Sequence, residues 1–537
     1  MWQWTTLLGP QLCLYRTGGI GQGQLGFIAR NSRAAHRVHP RDFVGTRENV
    51  IMRFSVGSNE WPANDRTFRG TWHLESMPDA SQTGVLSIAT SGYPTLILDG
   101  SLQEAIPDYS SHSVIGLTHE AVDVTLVDGA YRTQKAPWYS RVDYGGQRPP
   151  VIEEEWQGFA VAVGAKLPLG GDTPVREMVF RSRRLRDWAS GSAPQFKATD
   201  EERSIGGTLR FPSDIKMTTV WGTVLLRWGA VGPYSAQGAD LRYFPEVHVE
   251  FTGQPTVDQT WKLVITPLLQ FFTLLTGEGD YLESVRYRTA GTHDDQDSSG
   301  TDSYGQLLWG GWFEWISASW LAQPNDKPEV SEFAHLVGSG EADANLEAML
   351  SRWIDLQARA PEPLADYFAT LMWSSMTFEE SFAHIVRALE VLHSIVEPGP
   401  RIPKQDFKAV RTKIKQALEG DPHRELILSR LRHADAFSLL DRLTAILARV
   451  GYRLQNFAGD IDQFARMIRD VRDSFTHTSS LGEVDYGKLG RAHVILDLVM
   501  RSELLLQIGV PQGELDDRVF RTEAARLLLY PVNKDSN

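Results

Sequence analysis

The sequence predicts an α+β protein with two domains, an N-terminal mainly antiparallel β domain and a C-terminal all-α helical bundle. The main observation is a change of hydrophobic period near residue 335. Before it, short runs of alternating or clustered β-branched residues are separated by Gly and Pro, as in antiparallel sheets. After it, apolar residues recur at three- and four-residue spacing, which is typical of amphipathic helices.

The first 55 residues show no sustained hydrophobic period and are rich in Gly, Arg and His. We therefore predict a poorly ordered N-terminal extension over residues 1–55. Met52 directly precedes the region in which regular patterning begins. An alternative is that translation starts at Met52 and that residues 1–51 are not part of the protein.

Residues 66–330 are predicted to form the β-rich domain. Stretches such as "TGVLSIAT", "PTLILDGSL", "EMVFRSRRLRDW", "TTVWGTVLLRWGAV" and "PEVHVEFTG" follow one another at short intervals and each predicts strand structure. The pattern is typical of a sandwich or barrel-like antiparallel domain. One predicted helix, "TWKLVITPLLQFFTLLTG", interrupts the strands and ends at Gly277.

Residues 340–530 are predicted to form the helical domain. Segments from "ANLEAMLSRWIDLQARA" to "LGRAHVILDLVMRSELLLQIG" carry the helical spacing and are joined by short polar turns, which predicts a bundle. Thr377 and Glu380 have the spacing of a capping box and predict the start of the third helix.

Charge and cysteine content limit the possible functions. The net charge is -13, with 67 acidic and 54 basic residues, whereas proteins that coat nucleic acid through bulk electrostatics are normally basic. Nucleic-acid binding would therefore need a local basic patch or a partner.

The single cysteine, Cys13, excludes an intrachain disulfide and a Cys-based zinc site, and it favours a cytoplasmic location. No apolar run has membrane-spanning length, so we predict no membrane association.

The stretch "RMIRDVRDSFTHTSS" carries the strongest candidate for chemistry. Arg472 and His477 lie five positions apart near the end of an amphipathic helix. A histidine can transfer a proton near neutral pH, and an arginine can stabilise charge on phosphoryl oxygens. RNA supplies its own nucleophile, the 2′-OH, so no metal is required. The alternative is a pair of solvated surface residues. We expect "HTSSLG" to end or fray the helix, which would let His477 turn back toward Arg472.

The same stretch resembles a known motif. "RDSFTH" is similar to the R-x4-6-H motif of HEPN domains, with Asp473 at the polar position that often follows the arginine. Upstream, "VRALEVLHSIV" resembles a helix that often recurs in the same bundle. "FRGTWHLESMPDASQTGVLSIATSGYPTLILDGSL", "VIGLTHEAVDVTLVD" and "TPLLQFFTLLTG" are similar to landmarks of the ApeA-like anti-phage family. The resemblance spans roughly residues 66 to 520.

The resemblance implies a metal-independent endoribonuclease without a cofactor. Arg472 and His477 would be the catalytic pair, Asp473 would help to orient one of them, and the products would carry 2′,3′-cyclic phosphate ends. A homodimer through the helical domain is implied as well, because HEPN nucleases typically place two copies of the motif across a dimer cleft. The biological role would be abortive-infection defence, with the β domain as regulator and a phage-derived trigger.

Two further sets of residues are candidates. Lys404, Lys408, Arg411 and Lys415 share one face of a predicted helix and could bind RNA phosphates, although a solvated bundle face gives the same pattern. Glu390 and His393 lie on adjacent turns of another helix. They could support the catalytic pair, or they could be a buried polar pair that holds the bundle together.

A rival function remains compatible with the same sequence. The helical bundle could only dimerise, and the tryptophan-rich β domain could bind a protein or a glycan as a non-catalytic sensor. The two functions differ in one structural feature: whether Arg472 and His477 face one cleft that a second chain could complete.

Overall fold

The structure is a computed structural model that describes most of the chain from residue 66 onward and three short earlier strands. The described residues are 11–13, 24–26, 53–56, 66–89, 93–102, 111–135, 153–189, 195–201, 204–210, 212–235, 238–290, 311–317, 336–337, 345–372, 376–477, 485–520 and 522–529. Apart from those strands, the predicted extension over residues 1–55 lies outside the described residues.

The chain divides into two compact units. The first contains residues 1–269 and 280–329, and the second contains residues 270–279 and 330–537. Strands dominate the first unit between residues 66 and 317, and helices make up the second between residues 346 and 529. The predicted α+β class, with β structure before helical structure, is confirmed. The second unit also includes residues 270–279, which the predicted boundaries assign to the β-rich domain.

The described part of the first unit contains eighteen strands. They are β1 (Gln11–Cys13), β2 (Gln24–Gly26), β3 (Arg53–Val56), β4 (Arg66–Leu74), β5 (Met77–Ile88), β6 (Thr95–Leu98), β7 (His112–Thr118), β8 (Asp123–Lys135), β9 (Glu153–Gln157), β10 (Ala160–Val163), β11 (Val175–Ser182), β12 (Gln195–Glu201), β13 (Ser204–Arg210), β14 (Ile215–Thr219), β15 (Gly222–Ser235), β16 (Gly238–Phe251), β17 (Leu282–Thr289) and β18 (Trp312–Ser317).

Six of these strands close into a ring in the order β8, β7, β4, β5, β6 and β9. The ring closes because β9 pairs with both β6 and β8. Alternate residues of β4 and β5 are buried, as a pleated strand with one face on a core requires. Trp72, Leu86, Leu96, Leu126 and Trp156 belong to the core cluster of this region, and all five side chains are fully buried.

The main sheet continues from this ring in the order β10, β18, β17, β11, β16, β15 and β1, while β3 pairs with β16 and β14 pairs with β15. A helix, α1 (Arg183–Ala189), follows β11 without a gap, so the prediction of strand structure throughout "EMVFRSRRLRDW" is wrong in its second half. All seven residues of α1 are buried, including Arg184 and Asp187, which form an ion pair at 2.6 Å. The helix has only seven residues, about two turns, which is too short for a helical period to stand out from the strand pattern before it.

A carboxylate lies among arginines in the same sheet. Glu246 of β16 accepts hydrogen bonds from Arg181 at 3.3 Å, Arg227 at 3.0 Å and Arg286 at 3.2 Å. Burial would raise the pKa of Glu246, but the charges of Arg227, Arg286 and Arg181 outweigh burial and hold its pKa at about 2. The side chain is therefore an anion that links four neighbouring strands, β15, β16, β11 and β17.

Two helices connect β16 to β17. Helix α2 (Val257–Thr260) leads through a π-helical turn (Trp261–Ile265) into α3 (Thr266–Thr276). Gly277 follows with a φ of +82°, a conformation that glycine adopts without strain, so the helix ends where it was predicted to end. The boundary between the two units falls inside α3, because residues from Gln270 onward belong to the helical unit.

The remaining described helices form the second unit. They are α4 (Leu346–Arg359), α5 (Pro361–Met372), α6 (Phe378–Val396), α7 (Lys404–Ala417), α8 (Arg424–Arg430), α9 (Leu439–Arg449), α10 (Tyr452–Ala458), α11 (Ile461–His477), α12 (Tyr486–Gln507), α13 (Gln512–Phe520) and α14 (Glu523–Leu529). The predicted capping box is present, with Thr377 and Glu380 bonded reciprocally at the start of α6. Helix α6 is central, because it packs against α5, α9, α11 and α12. No helix in the described ranges combines the length and the apolar character needed to cross a bilayer.

Candidate active site

The predicted catalytic residues lie on helix α11. Its apolar stripe lies against the bundle: Phe464 and Ile468 are buried, and Val471 and Phe475 are half-buried. The Phe475 ring contacts the Phe382 ring of α6 edge-on, with centroids 5.8 Å apart. These contacts anchor α11 on α6 and leave the flank of the stripe for polar residues.

Arg472 occupies that flank and is held by two carboxylates. One Nη atom donates to Asp473 Oδ1 at 3.0 Å, and the other donates to Glu390 Oε2 of α6 at 3.1 Å. The Arg472 side chain is 33% exposed, so the guanidinium is fixed in orientation yet remains open to a ligand from solvent. Charge-assisted hydrogen bonds of this kind restrict a long side chain to one position. A positioned, accessible guanidinium is suited to binding phosphoryl oxygens.

His477 is the last residue of α11, and its side chain lies outside the described residues. The backbone is still helical at His477, so the expected fraying does not begin before this residue. In an ideal helix, five residues turn the side-chain direction by about 140° and advance it by about 7.5 Å. The helix therefore does not by itself direct Arg472 and His477 to one point.

Glu390 and His393 belong to different clusters, although they share α6. Glu390 contacts Arg472 of α11. The His393 side chain is fully buried. Its Nδ1 lies 3.5 Å from an Nη atom of Arg442 of α9, and its ring centroid lies 5.6 Å from that of Phe437. Its Nε2 lies 3.5 Å from a carboxylate oxygen of Glu397 but has no hydrogen-bond partner among the described residues.

The electrostatic environment keeps His393 uncharged. Burial, assisted by the charges of Arg449 and Arg442, lowers its pKa to about 4. A neutral histidine packed between helices fits the structural role that the sequence left open for this residue. Of the two predicted supporting residues, only Glu390 is in contact with Arg472.

The predicted RNA-binding residues lie on α7, and no residue of this helix is buried. Lys404, Lys408, Arg411 and Lys415 are all exposed, as both the RNA-binding and the solvated-face alternatives require.

A second group of side chains, which sequence reasoning missed, lies where α6 and α12 begin. Phe378 and Ser381 occupy the first turns of α6, and Tyr486 and His493 come from α12. His493 Nε2 and Ser381 Oγ are 2.9 Å apart, and the Phe378 and His493 rings have centroids 5.3 Å apart. The Tyr486 hydroxyl donates to Glu379, which lies between Phe378 and Ser381 in the sequence. We call Phe378, Ser381, Tyr486 and His493 the aromatic cluster. Only the capping box near Phe378 marked this location in the sequence, and nothing indicated that His493 would meet it.

The described ranges contain no group of three His, Cys, Asp or Glu side chains placed to hold a metal ion. Two carboxylates, those of Glu390 and Asp473, form ion pairs with the Arg472 guanidinium.

Comparison with known families gives one match in this unit. The family model described as Apea-like HEPN matches residues 384–514, from the first half of α6 into α13. These residues form an Apea-like HEPN domain. The match includes Glu390, Arg472 and His477 and confirms the HEPN part of the resemblance seen in the sequence. At the level of the family, the HEPN domain is of the nuclease type. No curated protein and no solved structure matches the chain significantly.

Proposed function

We propose that the protein is an anti-phage endoribonuclease of the abortive-infection type, in which the HEPN domain cleaves RNA without a metal ion. The observation that carries the proposal is Arg472, which Glu390 and Asp473 hold in a half-exposed position within that domain. His477 follows five residues later on the same helix. An oriented guanidinium and a nearby histidine supply the two functions that cleavage at a 2′-OH needs.

The proposed reaction is an internal transesterification. His477 removes the proton of the 2′-OH, and the 2′ oxygen attacks the adjacent phosphorus. The bond from phosphorus to the 5′ oxygen breaks, a protonated histidine returns a proton to that oxygen, and the products are a 2′,3′-cyclic phosphate and a 5′-hydroxyl. Arg472 stabilises the charge that builds on the phosphoryl oxygens. Because Arg472 and His477 diverge on one helix, a homodimer that pairs two α11 helices is part of the proposal.

Glu390 and Asp473 are proposed as positioning residues for Arg472. Replacing Glu390 by glutamine keeps an acceptor but removes its charge, which weakens the hydrogen bond to the guanidinium. We expect kcat to fall by about tenfold, equivalent to about 1.4 kcal/mol of transition-state stabilisation, with little change in KM. Glu390→Ala should lower kcat further. Thermal stability should change little, since the pair is part-exposed.

The matched control for Glu390 is Asp470→Asn. Asp470 accepts a hydrogen bond from Arg469, one turn before Arg472 on α11, and it is exposed. The Asp470→Asn protein should cleave RNA at the wild-type rate. A wild-type kcat for Glu390→Gln and Glu390→Ala would show that Arg472 does not need this carboxylate.

Helix α7 is proposed as an RNA-phosphate track. Reversing Lys408→Glu and Arg411→Glu together should weaken cleavage at moderate salt, because each lost phosphate contact reduces counterion release. The slope of log affinity against log salt should become shallower by about 0.7 for each contact. Affinity for single-stranded RNA at several salt concentrations measures this slope. Lys413→Glu, on the opposite side of α7, is the control, and an unchanged slope in the double variant would assign the helix to plain solvent exposure.

The biological parts of the proposal concern regulation and location. We propose that the β unit restrains the HEPN domain until a phage-derived trigger is present and that the protein acts in the cytoplasm. The test is to sequence RNA ends from infected cells that express wild type or His477→Ala protein. New internal ends in the wild type alone are expected. Equal end profiles would favour the alternative of a non-catalytic sensor whose bundle only dimerises.

A further inference from the structure

The contacts between α6 and α11 show which end of α6 lies near His477. Arg472 meets Glu390, and Phe475 meets Phe382, which lies eight residues earlier on α6. The two helices are therefore antiparallel. The end of α11, at His477, is directed toward the beginning of α6, where the aromatic cluster of Phe378, Ser381, Tyr486 and His493 lies.

The aromatic cluster combines accessible rings with neutral hydrogen-bonding groups. Tyr486 is 57% exposed, and its hydroxyl donates to Glu379 Oε1 at 3.5 Å. Phe378 is half-buried, and its ring lies 6.5 Å from the Phe382 ring, which continues the contact to Phe475. Burial lowers the pKa of His493 against the opposing charge of Asp497, so its imidazole is neutral at physiological pH and can donate or accept a hydrogen bond.

The chemistry of the cluster fits a base rather than a phosphate. Glu379 and Glu380 lie in the first turn of α6, and these carboxylates repel phosphate groups. Exposed aromatic rings instead stack on unpaired nucleobases, and hydroxyl and imidazole groups can hydrogen-bond to base edges. A chain with a net charge of -13 gains little from bulk attraction to RNA, which gives base contacts a larger share of recognition.

We propose that the aromatic cluster is a nucleobase subsite, which holds one unpaired RNA base beside the phosphodiester that is cleaved. The inference rests on the proposed function, because it places the base next to the Arg472 and His477 reaction. Tyr486 provides the stacking surface, and Ser381 with His493 selects among bases by hydrogen bonding. The site therefore determines the sequence preference of cleavage, and its residues are specificity determinants rather than catalytic residues.

The test compares two equally exposed tyrosines in the full-length chain. Tyr486→Ala should raise KM for single-stranded RNA by about tenfold with kcat nearly unchanged, as expected for the loss of one base stack. Tyr486→Phe keeps the ring and should stay close to the wild type. Tyr452→Ala is the matched control, because Tyr452 of α10 is 60% exposed. Ser381→Ala should change which nucleotide precedes or follows the cut when a random-sequence RNA pool is cleaved and its ends are sequenced.

A binding measurement separates this inference from the proposed function. In the His477→Ala background, fluorescence anisotropy with short homopolymers of each base should show weaker binding for Tyr486→Ala than for Tyr452→Ala. If the wild type does not cleave RNA but this difference persists, the nuclease proposal fails and the subsite stands. If Tyr486→Ala and Tyr452→Ala bind and cleave RNA alike, the subsite is overturned. If Tyr486→Phe weakens RNA binding as much as Tyr486→Ala does, the stacking role of the ring is overturned.

Discussion

His477→Ala is expected to lower RNA cleavage by about a hundredfold to ten-thousandfold, the usual effect of removing a general acid–base. Arg472→Ala should have an effect of similar size, because the charge on the phosphoryl oxygens would lose its stabilising partner. Both variants should remain folded, since Arg472 is part-exposed and His477 ends its helix. Single-turnover cleavage of labelled RNA by purified protein, with EDTA present, measures the effect.

Two neighbours serve as controls for this result. Arg469 also lies on α11 and pairs with the aspartate that follows it, as Arg472 does, but it has no contact to Glu390 among the described residues. His423 is an exposed histidine of the same HEPN domain. Arg469→Ala and His423→Ala should cleave RNA at the wild-type rate. Val471→Asp should fail in a different way, by unfolding the bundle. If His477→Ala cleaves as fast as the wild type, the catalytic assignment is wrong and a binding function takes its place.

The largest effect on stability is expected in the β unit. Glu246→Ala would remove the carboxylate that Arg181, Arg227 and Arg286 share. Breaking a buried ion pair by removing one partner typically lowers the free energy of unfolding by about 3–5 kcal/mol. Urea unfolding, followed by tryptophan fluorescence, measures the change. Glu250→Ala is the control, because Glu250 lies on the same strand and is exposed. Equal stabilities of the two variants would contradict the prediction.

The contribution of Glu246 should also depend on pH in a defined direction. Its pKa falls from 4.5 to about 2 on folding, so its stabilisation is fully present above pH 4.5 and is lost as the pH falls toward 2. The shift corresponds to about 3 kcal/mol. The stability difference between wild type and Glu246→Gln should therefore shrink across this interval. A constant difference down to pH 2 would mean that the charge of Glu246 is not what stabilises the strands.

Local patterns predicted the elements of this protein better than the contacts between them. The apolar stripe of α11, the capping box at Thr377 and the end of α3 at Gly277 each depend on a few neighbouring residues, and each is present in the structure. Helix α1 was missed because it has only seven residues, and because four of them are charged although all seven are buried. Two turns of helix are too short to show the period on which such predictions depend.

The site was predictable only in part for a related reason. Arg472 could be identified from its motif. Its hydrogen bond to Glu390 could not, because the two residues are 82 positions apart in the sequence. Glu390 and His393 are only three positions apart on α6, yet Glu390 contacts Arg472 of α11 and His393 contacts Arg442 of α9. The aromatic cluster brings together residues of two helices with no shared spacing. Such groupings are set by helix packing and leave no local pattern in the chain.

The division of α3 between the two units limits which fragments of this protein contain a complete helical unit. The chain passes between the units three times, at residues 269–270, 279–280 and 329–330. Within the helical unit, the Phe271 ring lies 6.3 Å from that of Trp353, and Arg501 donates to the carbonyl oxygen of Gly277. A fragment that begins at residue 340 would therefore lack part of its own core. A protease that cuts once at residues 329–330 would separate residues 330–537 from the rest of the chain, but residues 270–279 would stay on the other fragment. A nuclease fragment made in this way would have lost a segment of its own unit.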